Sequence, residues 1–144
     1  MNIDTTALRS RLRGLSATLK KIDDEQRALR EEQLEQLRIA LAHRGTVGEV
    51  AQASGLSRAY LHKIGLHLQR RSVDDPQTHD KAIARAGEIR EEIAQLEQDA
   101  GNARAERDQV IRELGTTMST AEIAKEAGIS GERARLILQD AGKA

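Results

Sequence analysis

An all-α fold is predicted by three features of the sequence. Long stretches repeat apolar residues at alternating steps of three and four. Two short stretches carry helix-start signals followed by a glycine stop. The composition sets 38% hydrophobic residues beside only 1% aromatic ones, with no Phe or Trp. Sheets draw on β-branched and aromatic side chains, and this chain has few of either. Leu, Ile and Ala without rings suit thin helical layers.

The first long helix is expected over residues 4–43. Leu8, Leu12, Leu15, Leu19, Ile22 and Leu29 form a heptad seam, with Gln26 in the missing step. The seam then drifts to Leu34, Leu37 and Leu41. Gly14 is its weak point, costing up to ~1 kcal/mol against Ala. A second long helix is expected over 74–115. Asp75 is its N-cap and Pro76, the only proline, its first position. Ile83, Ala86, Ile93, Leu96, Ala100, Ala103, Val110 and Leu114 keep the same alternation, with Arg90 and Arg107 filling two steps. The charged residues between these steps read as solvated faces.

Two segments of another kind follow the long helices, at 44–73 and 116–144. An offset of 73 superimposes them: Glu49 meets Glu122, Gly55 meets Gly128, Ser57 meets Ser130 and Ile64 meets Ile137. The chain therefore reads as an internal repeat of a long seam helix and a short helical segment. Thr46 with Glu49, and Ser119 with Glu122, have capping-box spacing. Gly55 and Gly128 end the short helix that follows, and Ser57 and Ser130 cap the next. Ala51 and Ala124 are the small residues where two helices cross. Val50, Leu56, Leu61 and Ile64 form the small core of the first copy. Ile123, Ile129, Ala134 and Ile137 form that of the second, and the preceding long helices add Leu37 and Leu41, or Val110 and Leu114.

EVAQASGLSRAYLHKI and EIAKEAGISGERARLIL resemble the helix-turn-helix segments of bacterial and phage DNA-binding proteins, the homeodomain-like and resolvase-like kinds especially. Two tandem copies joined to coiled-coil helices are similar to small actinobacterial or phage proteins. The resemblance implies a second helix lying in the major groove. Carried onto this chain, the DNA-facing residues are Ser57, Arg58, His62 and Lys63 in the first copy. In the second they are Ser130, Arg133 and Arg135, with Gln139 more distal. Arg and Lys suit guanine O6/N7 and phosphates. Arg70 and Arg71 are expected on phosphates. Tyr60 is open to a phosphate contact or to core packing.

Charge distribution separates the copies. Residues 44–73 hold five basic side chains against one acidic, while 116–144 hold four of each. The first has the electrostatic footprint of a duplex binder; the second could read DNA weakly or bind protein. The whole chain is neutral, with 23 basic and 23 acidic residues.

Other functions find no support. Absence of cysteine excludes a disulfide scaffold, thiol catalysis and Cys-ligated zinc. The four histidines lack metal-ligand spacing, and no phosphate loop, dinucleotide fingerprint or nucleophile elbow occurs. No catalytic or metal residue, cofactor or small-molecule substrate is therefore expected. One tyrosine is too few for an RNA-stacking platform. No apolar run approaches the roughly 20 residues of a membrane span. A cytoplasmic, nucleoid-associated protein is the expectation. The expected function is sequence-specific binding of double-stranded DNA by a transcriptional regulator. A DNA-bridging or DNA-packaging recognition protein, or a coiled-coil adaptor with a protein-binding second segment, is the alternative. The seams could pair within one chain, with the short segments at opposite ends of a rod, or between chains; a homodimer through the seams is the favoured expectation.

Overall fold

The computed structural model describes residues 4–43, 45–68 and 75–141. Every regular element among them is helical. The order is α1 (Thr5–Ala42), α2 (Val47–Ser54), α3 (Arg58–Lys63), a 3-10 turn (Leu66–Leu68), α4 (Pro76–Leu114), α5 (Thr120–Ala127) and α6 (Gly131–Ala141). None of the described helices is long and apolar enough to cross a membrane.

The long helices begin as their sequences dictate. The Asp4 carboxylate accepts from the Ala7 backbone N–H at 3.1 Å, and Asp75 from that of Gln77 at 3.1 Å. Pro76 costs nothing where it stands, because a first-turn N–H has no partner inside a helix. The chain divides into two compact units, each taking part of both long helices.

In the unit Asp24–Glu97, Leu37, Leu41, Val50, Leu61, Leu66, Ala82 and Ala86 are buried together. Leu34, Leu56 and Ile83 pack against them. The α1 and α4 portions run antiparallel, since Gln33 lies beside Ala86 and Glu32 beside Arg85. Arg85 binds Glu32 through Nε–Oε1 at 2.8 Å and Nη2–Oε2 at 3.1 Å. That arginine holds the Glu32 carboxyl below the usual carboxylate range, against the opposing effect of desolvation.

The other unit joins the stretch before Asp24 to the stretch after Glu97. Leu12, Val110, Ile111, Leu114, Ile123, Ala124, Ala134 and Ile137 form its core. Arg9 donates to Glu126 from Nη2 at 2.5 Å and from Nε at 3.1 Å. This ties α5 to α1 and lowers the Glu126 carboxyl's pKa.

In each unit part of the α1 seam is buried with α4 of the same chain: Leu12 with Val110 and Leu114, and Leu37 and Leu41 with Ala82 and Ala86, whereas Leu19 and Leu29 stay half-buried. Two features depart from the sequence pattern. Ile89 and Ile111 are fully buried although neither lies on the heptad steps read from the sequence. Each follows one turn after, or one residue after, a small or branched seam residue, which broadens the buried stripe. Ile64 does not join the core; it is 40% exposed. Gly65, at φ 82°, turns the backbone left-handed immediately after it, and Leu66 fills the core instead.

Candidate nucleic-acid interface

Each α2–α3 and α5–α6 pair is built from the same local signals. At the first, the Glu49 backbone N–H donates to Thr46 Oγ1 at 3.1 Å. The Thr46 backbone N–H donates back to Glu49 Oε1 at 3.2 Å, completing the box. At the second, the Glu122 backbone N–H donates to Ser119 Oγ at 3.2 Å, but the return bond that closes the box at Thr46 is not formed.

The glycine stops adopt the left-handed conformation, with φ 76° at Gly55 and 69° at Gly128. Side chains with a Cβ are strained there. Gly55 has a second reason to lack a Cβ: one built there would come within 2.8 Å of Arg90 Nε. Past the glycines, the serine hydroxyls take up free helix N–H groups. Tyr60 N–H donates to Ser57 Oγ and Arg133 N–H to Ser130 Oγ, each at 3.0 Å. These bonds give both serines a capping role, and each exposed hydroxyl keeps its own proton to donate.

On α3, Arg58 and His62 are one helical turn apart and share a face. Both are exposed, as is Lys63 at the last position of the helix. Arg58 and Lys63 make no ion pair among the described residues. The Arg58 guanidinium lies over Gly48, close enough that a Cβ there would sit 2.7 Å from Nη2. The His62 ring meets the His67 ring with centroids 4.3 Å apart, tilted by 34°. Arg70 and Arg71 lie outside the described residues.

On α6, Arg133 is exposed and unpaired among the described residues, whereas Arg135 is engaged. Arg135 donates to Glu132 from Nη2 at 2.5 Å and Nε at 3.1 Å, and from Nη1 to Gln139 Oε1 at 3.4 Å. This arginine holds the Glu132 carboxyl below the usual carboxylate range, and the carboxylate raises the guanidinium's pKa in return. Gln139 is thus a partner of Arg135 as well as an exposed side chain. Leu136 beside them is 39% exposed.

The structure therefore groups Arg58, His62 and Lys63 on α3 and Arg133, Arg135 and Gln139 on α6. Sequence reading missed Arg30, which joins Tyr60 and Arg90 around a cavity of the Asp24–Glu97 unit. The available signal was Arg90 itself, a charged residue standing on a step of an apolar seam. The chain matches no known protein family, no curated protein and no solved structure.

Proposed function

We propose that the chain is a sequence-specific double-stranded DNA-binding protein, with α2–α3 acting as a helix-turn-helix and α3 entering the major groove. One observation carries this reading: α3 presents Arg58, His62 and Lys63 to solvent directly after a left-handed glycine and a serine cap. A short helix bearing unpaired cations is suited to base edges and phosphates. The segment 44–73 adds to this its excess of basic side chains, Arg70 and Arg71 included. Transcriptional regulation is the role that follows from such recognition.

The test is fluorescence anisotropy of the full chain with a labelled pool of random duplexes, followed by selection and a salt titration. The expected result is recovery of a preferred site whose log affinity falls linearly with log salt concentration. Absence of binding to any duplex at low salt overturns the reading.

A second reading concerns α5–α6 alone. Arg135 is neutralised by Glu132 within its own helix, and Leu136 stands exposed beside them. That surface suits a protein partner better than a phosphate backbone. Retention of full duplex affinity by Arg133→Ala supports this division of labour.

A further inference from the structure

We propose that the Asp24–Glu97 unit carries a binding pocket for a small organic anion with an apolar body. The inference stands apart from the duplex-binding reading.

The pocket has a volume of about 450 Å³, within the range of small-molecule sites. Arg30 from α1 and Arg90 from α4 line it, with Tyr60 from α3 and the apolar side chains Leu34, Leu56 and Ile93. Two arginines from separate helices thus line one largely apolar concavity. A long-helix surface that merely solvates its charges has no need of such a gathering.

The state of each polar group narrows the ligand. Arg30 is exposed and makes no ion pair among the described residues. Arg90 spends Nη1 on the Gln52 carbonyl at 3.1 Å, which fixes its position over Gly55 and leaves the remaining donors of the fork. Among the described residues that line the cavity none carries a carboxylate. Gln33, also on the wall, is buried, and its amide nitrogen makes only long contacts, 3.4 Å to the Ser54 carbonyl and 3.5 Å to that of Ala86. Those two bonds occupy its N–H donors, so the anion-binding donors of the pocket are those of the two arginines. Leu34, Leu56 and Ile93 give nothing to a bare inorganic ion but reward an apolar body. Planar carboxylates, sulfonates or phosphates attached to a ring or short alkyl chain fit this set, because a guanidinium fork binds planar and tetrahedral oxyanions in bidentate fashion.

Anilinonaphthalene sulfonate is a suitable probe, since it couples one sulfonate to an apolar body and brightens when its rings leave water. Tyr60 is the only aromatic residue of the chain, so quenching of its emission by energy transfer reports binding near this site. The expected result on the full-length protein is one dye bound per chain with Tyr60 quenched. Arg30→Gln should weaken binding about tenfold, the scale of one charged hydrogen bond. Arg90→Gln should do the same, and circular dichroism and the melting curve show whether each variant remains folded. The uncharged analogue N-phenylnaphthylamine should bind at least tenfold more weakly than the sulfonate. Equal affinity for the neutral and anionic dyes overturns the proposal. So does an unchanged sulfonate affinity in the folded Arg30→Gln variant. If that variant instead loses duplex affinity alone, the arginine serves nucleic-acid phosphates and the pocket is not an anion-ligand site.

Discussion

The α2–α3 and α5–α6 pairs begin alike and end differently. Both start at a hydroxyl cap, turn at a left-handed glycine and restart at a serine. Beyond that point, α3 stops after six residues while α6 continues for eleven. At the offset of 73, Gly65 corresponds to Leu138. Gly65 ends one helix with φ 82°; Leu138 continues the other and packs against its core. The change moves the last core position from Ile64 to Leu66 in the first pair, whereas Ile137 stays buried at 3% exposure in the second. The exposed ends differ in chemistry too, because Lys63 corresponds to Leu136. One glycine and one charge thus separate a short cationic tip from a longer, self-neutralised helix. Equivalent residues need not keep equivalent work once the helix that carries them changes length.

The largest expected effect that tests this contrast is in the core. Leu61 is fully buried in the first pair where the second has Ala134. Leu61→Ala should lower stability by about 2–5 kcal/mol, read from thermal or urea unfolding. A loss well below that range means the α2–α3 pair closes over the void and is packed less firmly than its counterpart. Next comes the tip itself. Arg58→Ala should cost about 1–3 kcal/mol in affinity for a selected duplex if it reads a base. Unchanged affinity would take α3 out of sequence recognition and leave the comparison one of shape only.

A smaller effect is expected at the helix stop. A Cβ at Gly65 meets nothing within 4 Å, so the cost of Gly65→Ala is that of the backbone conformation alone. It should be about 1 kcal/mol by equilibrium unfolding. A neutral result would place the end of α3 under the control of packing rather than of Gly65.

The mildest prediction concerns acid. Glu32 beside Arg85 and Glu126 beside Arg9, one pair in each unit, both have carboxyl pKa values lowered by their arginines. The folded state then binds protons more weakly than the unfolded chain does. The stabilisation is present above the ordinary carboxylate range and disappears as pH falls through the lowered folded values. Arg9→Ala and Arg85→Ala should each flatten the acid side of a stability–pH curve measured by urea unfolding, with little change in slope near neutrality. Exposure and salt keep both effects small. A flattening by only one of the two would show that one unit governs acid unfolding.

Much of the helical plan was legible before any tertiary information. Asp75–Pro76, the Thr46–Glu49 box, Gly55, Gly128 and the two serines act through neighbours within four residues. Their bonds depend on local backbone geometry and so can be read from spacing. The candidate interface was legible in part for the same reason: residues just past a cap lie on the first turn of the next helix. Where Arg135 would direct its guanidinium was harder to read, although Glu132 stood three residues away. That choice is a competition between a helix neighbour and solvent, and spacing alone does not decide it.

By itself, then, the sequence determined the helical class, the two long seams, the caps and the glycine turns, because short-range hydrogen bonds and apolar period act within a few residues. Only the tertiary structure decided that parts of the α1 seam would be buried with α4 of the same chain, that Ile64 would yield its place to Leu66, and that Arg30, Tyr60 and Arg90 would line one cavity. Those outcomes depend on which surfaces come together across dozens of residues of chain, and helical period specifies a face without naming what will lie against it.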